Sequence, residues 1–293
     1  MESGQFSIPN RQSLDLGRTL ASGQVFRWQQ IRNGLWKGII GRRRVFLEGA
    51  PDGSSAVCWR ADGPDPETAV RQFLRLDDLD LPAQTDKWSQ RDPVFREAWH
   101  RNPGLRILRQ DRQECFFSFL LASAAPVARI SQMCHALARY YGEPLSDDFF
   151  AFPTCEVLAN APETHLRELG LGFRAPRILA AARFLTHNPG FLENLPTGER
   201  ESIQSALTDL PGLGPKIADC IALFAFDCDD AVPVDTHVWR VTKEHLDPAL
   251  AGKSLTAANY ARARDAWLRR YGAHAGWAQQ ILFHDAAQRR LRS

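Results

Sequence analysis

The chain changes its pattern of hydrophobic and polar positions near residue 65. Before that point there are short runs rich in β-branched and aromatic residues: QVFRWQQI, LWKGIIG, VFLEG and AVCWR. Asn33-Gly34 lies between the first two runs, and Asn-Gly in this setting favours a type I′ hairpin, in which both central residues have positive φ. The pattern therefore predicts an antiparallel sheet in the N-terminal part of the chain.

Beyond residue 65 the apolar positions recur with the period of a helix. One such face, preceded by Pro126 as a first-turn residue, consists of Val127, Ile130, Cys134, Leu137 and Tyr141. Further helices are predicted at Pro66–Leu76, Pro176–Leu185, Glu201–Leu210, Pro215–Phe226, Thr236–Leu246, Thr256–Tyr271 and Trp277–Leu291. The fold class is therefore α+β, with an N-terminal antiparallel sheet domain at residues 1–80 and a mostly helical domain at residues 81–293, packed as one unit.

Composition narrows the class of protein. The 293 residues, 44% hydrophobic and 24% charged, suffice for two domains and a sizeable core. No apolar segment approaches the length of a membrane span and the N-terminus lacks a signal pattern, so we expect an intracellular protein without a membrane contact. Six scattered cysteines without a C-x-x-C pair indicate reduced thiols rather than a zinc or iron–sulfur site. A net charge of +2 does not by itself indicate a nucleic-acid partner.

The stretch LPGLGPKIADC, residues 210–220, joins two predicted helices through a tight turn. Gly212 and Gly214 permit positive φ and a close backbone approach. The amides of the turn and of the second helix can then point together at an anion such as a DNA phosphate. This pattern indicates a helix-hairpin-helix, although an ordinary helical hairpin explains the turn equally well on its own.

Two charged residues follow this turn and suggest catalysis. Lys216 begins the second helix, where the helix dipole and partial shielding from water favour the neutral amine that a nucleophile needs. Asp235 follows nineteen residues later in VPVDTH and is placed to cap the next helix. An ionised carboxylate there can stabilise the cationic sugar that forms when a glycosidic bond breaks. A surface lysine and a simple capping aspartate are the alternatives for each residue alone.

Seven ordered segments resemble the helix-hairpin-helix DNA glycosylases with a Gly/Pro-rich loop and a catalytic aspartate, and within them the 8-oxoguanine DNA glycosylases of the eukaryotic OGG type. They are SGQVFRW, ECFFSFLLAS, ARI, LGLGFRAPRI, the hairpin, AVPVDTHVW and AGWAQQILF. The resemblance implies a base excision DNA repair enzyme that flips 8-oxoguanine out of the duplex and excises it. It also implies an AP lyase activity, by β-elimination through a lysine Schiff base.

The resemblance assigns a role to residues of the catalytic centre and the base pocket. Lys216 would attack the sugar C1′, and Asp235 would stabilise the transition state. Gln279 would face the Watson–Crick edge of the base. The carbonyl of Gly23 would accept the N7–H of 8-oxoguanine, a donor that guanine lacks. The base would be sandwiched between Cys220 and Phe283, residue types that are otherwise typical of a core.

The resemblance also implies the DNA contacts. Phe173 matches the wedge that fills the gap in the duplex, and Arg129 and Arg174 match the arginines beside the orphaned base. A phosphate contact is implied for His237, next to those of Gly212 and Gly214. Phe173 is by type a core residue and His237 an ordinary helix-surface residue, so each assignment depends on its motif.

One segment departs from the family. Ahead of ARI the eukaryotic members carry asparagines that hydrogen-bond the orphaned cytosine, whereas this chain has Ala124-Ala125-Pro126. None of these side chains has a donor or acceptor. The base opposite the lesion would then be read mainly by Arg129 and Arg174, whose donors also suit acceptors on other bases. The departure predicts relaxed selectivity for the opposite base.

The resemblance further implies the partners and the location of the protein. We expect a monomer that acts on double-stranded DNA containing 8-oxoguanine and needs no cofactor or catalytic metal. The family's hairpins hold a cation on main-chain carbonyls, so this hairpin is a candidate cation site. The expected location is the cytoplasm or nucleoid of a prokaryote, or the nucleus of a eukaryote.

Three alternatives remain open from the residues. A monofunctional alkylated-base glycosylase of the same superfamily would keep Asp235 but would not need Lys216. An iron–sulfur glycosylase would need a group of cysteines after the catalytic domain, and none follows Cys228. A helix-hairpin-helix protein that binds DNA without catalysis would explain the hairpin but not the combination of Lys216, Asp235 and Gln279.

Overall fold

The computed structural model describes residues 1–8, 14–49, 56–146 and 148–292, with the backbone alone at 290–292. Its N-terminal part contains a sheet of five antiparallel strands: β1 (Glu2–Ser7), β2 (Gln29–Arg32), β3 (Leu35–Ile40), β4 (Arg43–Gly49) and β5 (Ala56–Ala61). The strand order is β1-β5-β4-β3-β2. The antiparallel sheet predicted from the sequence is confirmed, and β1 is an additional strand that the apolar pattern did not reveal.

The turn between β2 and β3 differs from the predicted type I′ hairpin. Gly34 has a φ of +78°, but Asn33 is not among the residues with positive φ. The pairing of the two strands shifts between Gln30 and Arg32, so a β-bulge accompanies the turn. One left-handed glycine together with a bulge closes this hairpin, and two left-handed residues are not required.

The segment QVFRW, expected to be part of a strand, is irregular up to Trp28. Its apolar residues divide between two cores, since Val25 and Trp28 join the cluster beneath the sheet whereas Phe26 joins the helical cluster. The side chain of Gln24 replaces strand pairing: its Nε2 donates to the carbonyl of Arg106 at 2.8 Å, and its Oε1 accepts from the amide of Leu108 at 2.8 Å. Tertiary hydrogen bonds therefore decide the conformation here.

Helices make up most of the remaining chain, and the predicted helices are confirmed within a few residues at each end. The helices are α1 (Leu16–Leu20), α2 (Pro66–Phe73), α3 (Leu81–Arg91), α4 (Pro93–Arg101), α5 (Arg112–Leu121), α6 (Val127–Tyr141), α7 (Cys155–Ala159), α8 (Glu163–Leu166), α9 (Ala175–His187), α10 (Phe191–Asn194), α11 (Arg200–Thr208), α12 (Pro215–Ala225), α13 (Thr236–Val241), α14 (Ala257–Tyr271) and α15 (Ala275–Arg292). Two short strands, β6 (Pro144–Ser146) and β7 (Phe149–Phe150), pair with each other. None of the helices in the described ranges is both long and apolar enough to span a membrane.

The predicted apolar face of α6 is correct except at its first residue. Ile130, Cys134 and Leu137 are buried, but Val127 is 46% exposed. The first turn of α6 extends beyond the core, and there a Cγ of Val127 would lie 3.2 Å from a Cβ placed on Gly23. Val127 therefore belongs to the rim of the candidate site and not to the core.

Two hydrophobic clusters form the interior. The smaller one lies between the sheet and α2, and the larger one fills the space among the helices. A buried ion pair joins the two parts: Arg27 donates through Nε and Nη2 to the carboxylate of Glu114 on α5, at 2.7 and 2.5 Å. The division at residues 80 and 81 stays a prediction, because the segment containing Gln24 and Arg27 contributes to both clusters.

Candidate active site

The helix-hairpin-helix consists of α11, the turn PGLG and α12. Gly212 has a φ of +87°, and a Cβ there would lie 2.8 Å from Cδ of Arg177, so both the backbone and the packing require glycine. Gly214 is the N-cap of α12 and Pro215 its first residue, and the amides of Gly214 and Lys216 donate no hydrogen bond within the described residues. The turn therefore has the local geometry of an anion site.

The hairpin also offers carbonyl oxygens. Those of Pro211, Gly212 and Leu213 accept no hydrogen bond from the residues that the structure describes. Main-chain carbonyls of this kind fit a hard monovalent or divalent cation. Elsewhere in the described ranges no group of three or more His, Cys, Asp or Glu side chains could hold a metal ion. The cation at the hairpin stays a prediction.

Lys216 is the second residue of α12 and is half-buried. Its Nζ lies 5.8 Å from the centre of the buried Phe119 ring. Cys220 follows one turn later on the same face. Burial raises the pKa of the Cys220 thiol to about 11, while the nearby Lys216 opposes this rise and Asp235 adds to it. The side chains of Lys216 and Asp235 therefore both lie within electrostatic reach of the Cys220 thiol.

Asp235 caps α13, as the sequence predicted. Its Oδ1 accepts from the amides of His237 at 2.9 Å and Val238 at 2.8 Å. These two bonds fix the carboxylate in front of the helix and leave Oδ2 without a described hydrogen bond. The free oxygen is thus available to a positive charge that develops in front of the helix.

Two residues predicted for the base pocket lie on α15, one turn apart. Gln279 is buried, and its Oε1 has no hydrogen-bond partner among the described residues. Phe283 is half-buried and meets the ring of His237 edge to face, with the centres 5.8 Å apart. A buried amide oxygen without a partner is costly in a folded protein, and a ligand that donates to it would remove that cost.

Gly23 occupies a loop that α15 holds in place. Its φ is +81°, a conformation that favours glycine. Nε2 of Gln280 donates to the carbonyl of the preceding residue, Ser22, at 3.2 Å. Because Gln280 follows Gln279 directly, the loop of Gly23 and the base-pocket helix are tied to each other.

The predicted wedge, Phe173, and the two arginines predicted beside the orphaned base lie on two segments, Ser123–Arg129 and Gly170–Arg174. Phe173 is 52% exposed, and the guanidinium of Arg174 lies 4.3 Å from its ring centre. Arg174 is buried and donates through Nε to the carbonyl of Ser123 at 3.0 Å, whereas Arg129 donates to the carbonyl of Gly170 at 2.8 Å. Each arginine thus binds the backbone of the other segment.

This arrangement refines the expectation for the orphaned base. Burial lowers the pKa of Arg174, and the charges of Arg129 and Arg177 lower it further. Arg174 and Arg177 therefore lie against the exposed Phe173 ring, with Arg129 as a third cation beside Arg174. Nη2 of Arg174 also donates to the carbonyl of Ala124 at 3.1 Å, and Ala124 itself has a left-handed φ of +50°. Part of the donor capacity of Arg174 is already used within the protein.

A buried polar network beside α12 was not predicted. Asp219 is fully buried and accepts from Nε2 of Gln204 at 2.7 Å and from the hydroxyl of Tyr260 at 2.6 Å. The same hydroxyl lies 3.3 Å from the amide of Val234, next to Asp235. Tyr260 thus connects α12, which carries Lys216, to the segment that carries Asp235. One feature of the sequence could have indicated this network, namely the single carboxylate within the apolar run ADCIALFAF.

Two family models together match most of the chain. That of the 8-oxoguanine DNA glycosylase N-terminal domain matches residues 7–116, and that of the HhH-GPD superfamily base excision DNA repair proteins matches residues 117–272. The fold and the site therefore define a base excision DNA repair protein of the HhH-GPD superfamily. The N-glycosylase/DNA lyase OGG1 of Arabidopsis thaliana is 36% identical over 281 residues, 92% of this chain and 76% of that protein. The chain belongs to the 8-oxoguanine DNA glycosylase family.

Other relatives agree with this placement. The N-glycosylase/DNA lyase of Saccharomyces cerevisiae is 28% identical over 331 residues, which cover 96% of this chain and 85% of that protein. The apo crystal structure of the 8-oxoguanine glycosylase/lyase of Clostridium acetobutylicum has a TM-score of 0.84 at 25% identity, and the match covers 97% and 96% of the two chains. The order of sheet and helices is therefore that of known 8-oxoguanine glycosylases.

Proposed function

We propose that this chain removes 8-oxoguanine from double-stranded DNA and then cleaves the strand at the resulting abasic site. It is a bifunctional DNA N-glycosylase and AP lyase, in keeping with the N-glycosylase/DNA lyases that it is related to. One observation supports the assignment of the catalytic residues: the hydroxyl of Tyr260 bonds both to Asp219 of α12, the helix of Lys216, and to the amide of Val234, the residue before Asp235. Nucleophile and carboxylate therefore share one site.

The chemistry begins with the damaged nucleotide rotated out of the duplex. The amine of Lys216 attacks C1′ while the bond from C1′ to N9 breaks, and the electron pair of that bond leaves with the base, which takes up a proton. The free oxygen of Asp235 stabilises the positive charge that develops on the sugar. The ammonium that results loses one proton, and the nitrogen then expels the ring oxygen O4′, which takes up a proton, so that the sugar opens and a cationic imine joins Lys216 to C1′.

The imine also accounts for strand cleavage. It makes the C2′ proton acidic, because the cationic imine accepts the electron pair that this proton leaves behind. Loss of the proton expels the 3′ oxygen with its phosphate, which is β-elimination. Hydrolysis of the imine then restores the amine of Lys216. Cys220 does not compete as a nucleophile, because burial raises the pKa of its thiol to about 11 and keeps it protonated.

Recognition of the base uses both backbone and side chains. The carbonyl of Gly23 accepts the N7–H that distinguishes 8-oxoguanine from guanine, and the amide oxygen of Gln279, unpaired within the described part of the protein, accepts a donor from the Watson–Crick edge. Cys220 and Phe283 hold the base between them. Undamaged guanine cannot make the hydrogen bond to Gly23. The binding free energy lost in this way is about 1–3 kcal/mol, and this is the discrimination that one such contact can provide.

The DNA itself is held on both sides of the flipped nucleotide. Phe173 fills the gap, Arg129 and Arg174 meet the orphaned base, and Gly212, Gly214 and His237 bind phosphates of the backbone. The protein acts as a monomer in the compartment that holds the genome, which is the cytoplasm or nucleoid in a prokaryote and the nucleus in a eukaryote.

Borohydride trapping on a duplex with 8-oxoguanine opposite cytosine tests this function. Reduction converts the imine into a stable covalent adduct, so the unmodified protein should be trapped. Lys216→Gln should abolish trapping while binding to a duplex with an abasic-site analogue persists. Lys243→Gln, on the segment after α13, is the matched control and should be trapped normally. Trapping of the Lys216→Gln protein would contradict the assignment of the nucleophile.

Asp235→Asn tests the contribution of the carboxylate charge while the nucleophile, Lys216, stays unchanged. The amide can still accept from the amides of α13, so the fold and DNA binding should persist. The single-turnover excision rate should fall by about 100-fold or more, because one aligned charge contributes about 3 kcal/mol in a shielded site. Excision of alkylated bases but not of 8-oxoguanine, measured on a panel of damaged duplexes, would favour the monofunctional alternative instead.

A further inference from the structure

Arg177 lies between two parts of the DNA-binding surface described above. It belongs to the first turn of α9, directly after the wedge segment. Its guanidinium carbon is 5.6 Å from the centre of the Phe173 ring. Its Cδ would lie 2.8 Å from a Cβ on Gly212, so the aliphatic part of the side chain covers the glycine of the hairpin. One side chain therefore contacts both the wedge and the hairpin.

The charge of Arg177 is not compensated within the part of the protein that the structure describes. The residue is half-buried, yet it makes no ion pair and no hydrogen bond there, although a guanidinium carries five N–H donors. The guanidiniums of Arg129 and Arg174 differ in this respect, because each donates to main-chain carbonyls. Arg177 thus keeps its donors available beside two other cations.

This placement has an electrostatic cost in the free protein. The charge of Arg177 is one of the causes that lower the pKa of Arg174, after burial and the charge of Arg129. Arg129 and Arg177 repel Arg174, and this repulsion is reduced when an anion binds among the three cations. The stem packs on the hairpin while the charged end stays outside, as long cationic side chains do at a binding surface.

We propose that Arg177 binds a phosphate of the DNA backbone between the wedge and the hairpin, and so couples the two contacts. The inference rests on the proposed function, because it takes DNA to lie across Phe173 and Gly212. The guanidinium donates two N–H groups to the phosphate oxygens, and the amides at the start of α12 bind the adjacent part of the backbone. Arg177 is a DNA-binding residue and touches none of the reacting atoms.

The salt dependence of DNA binding tests this proposal. Affinity for a duplex with an abasic-site analogue is measured by fluorescence anisotropy between about 50 and 200 mM salt. Arg177→Gln should weaken binding, and the slope of log affinity against log salt should become shallower by about 1, because one phosphate contact is lost. Arg177→Lys should keep most of the slope. The single-turnover excision rate at saturating protein should fall less than the affinity does.

Arg183→Gln is the matched control. Arg183 lies on the same helix, is exposed, and makes one long hydrogen bond of 3.4 Å to the carbonyl of Ala159. This variant should keep the slope of the unmodified protein. An unchanged slope in Arg177→Gln, whether or not its melting temperature falls, would show that Arg177 only packs on the hairpin and would overturn the proposal.

The same measurements distinguish this inference from the proposed function. If the unmodified protein binds the abasic duplex and is trapped by borohydride while Arg177→Gln keeps the full slope, only the phosphate contact is wrong. If the unmodified protein neither binds the duplex nor is trapped, the proposed function is wrong.

Discussion

At Gly23 the backbone conformation and the contact with Val127 both disfavour a larger residue. The φ of +81° costs an L-residue about 1–2 kcal/mol, and a Cβ would press on Val127 at 3.2 Å. We expect Gly23→Ala to lower the excision rate of 8-oxoguanine by about 10-fold, the equivalent of about 1.4 kcal/mol in one displaced hydrogen bond. Single-turnover kinetics and binding to an abasic duplex measure the two effects separately.

Gly34→Ala provides the control for Gly23→Ala. Gly34 has a similar φ of +78°, but nothing lies within 4 Å of a Cβ there, and the residue is in the turn between β2 and β3. Gly34→Ala should cost similar stability without a loss of excision. Adding Val127→Ala to Gly23→Ala should recover part of the rate. If Gly23→Ala lowered excision and abasic binding equally, the substitution would have damaged the fold and not only the contact between the carbonyl of residue 23 and the base.

Ala124 combines backbone strain with a missing polar group. It is exposed and left-handed, with a φ of +50°, a conformation that asparagine tolerates better than alanine. Ala124→Asn should therefore stabilise the protein by about 0.5–1 kcal/mol and sharpen the preference for cytosine opposite the lesion. Excision rates measured opposite cytosine, thymine, guanine and adenine test the expected relaxed selectivity of the unmodified protein.

Ala124→Gly separates the two effects at this position. Glycine relieves the strain but adds no donor or acceptor, so it should stabilise the protein without changing the order of the four rates. Strict dependence on cytosine in the unmodified protein would contradict the prediction. So would equal sharpening by glycine and asparagine.

At the scale of elements, α12 contains an ionisable group whose pKa is shifted upwards. Burial raises the pKa of Asp219 to about 6, against the opposing effects of Tyr260, Arg200 and Gln204. Between about pH 4 and pH 6 the folded protein therefore binds a proton at Asp219 that the unfolded chain does not. Its contribution to the free energy of unfolding falls as the pH rises through this range, and is constant above it.

Asp219→Asn tests this pH dependence. The amide does not ionise, and it can still accept from Gln204 and bond to Tyr260, so the contribution of this site should no longer fall with pH. The free energy of unfolding, measured with urea from about pH 4.5 to pH 7, should drop less in the variant than in the unmodified protein. The difference should be on the order of 1–3 kcal/mol. Parallel curves for the two proteins would show that Asp219 does not titrate in this range.

For the whole molecule, Gln24 joins the part around the sheet to the helical part. The side chain is fully buried; Nε2 donates to the carbonyls of Thr19 and Arg106, and Oε1 accepts from the amide of Leu108. We expect Gln24→Ala to lower the free energy of unfolding by about 2–4 kcal/mol, because it leaves these backbone groups unpaired and opens a cavity. The adjacent Gly23 should become mobile, and excision should fall as well.

The two parts should also unfold together, as the predicted packing into one unit requires. The backbone amides of the two parts should lose their protection against hydrogen exchange at the same denaturant concentration in the unmodified protein. The strands β1 to β5 report on the first part, and the helices α3 to α15 report on the second. Two separated transitions would mean that residues 1–80 and 81–293 are independent domains.

The sequence by itself determined the local structure and the residue types of the chemistry. The helical periods located α2, α6, α9 and α11 to α15, because amphipathic spacing and the glycine turn act over a few residues, whereas α1, α3, α4, α5, α7, α8 and α10 were not located. Asp235 was predicted as a cap for the same reason, and its two amide bonds confirm this. The strand pairing of Glu2–Ser7 and the irregular backbone of QVFRW were not predictable, because residues distant in sequence decide both.

The tertiary structure alone decided which of those residues share a site. Lys216 and Cys220 lie one helical turn apart, but only the packing of the chain brings Asp235 close to Cys220. Tyr260 contributes to this packing, because its hydroxyl bonds to Asp219 of α12 and lies close to the backbone of Val234. Likewise, nothing in a local pattern shows that Arg177 covers Gly212. A local sequence pattern reflects interactions between residues that are close in sequence. The contacts described here are instead made by burial and hydrogen bonds between different elements, and these depend on how the whole chain packs.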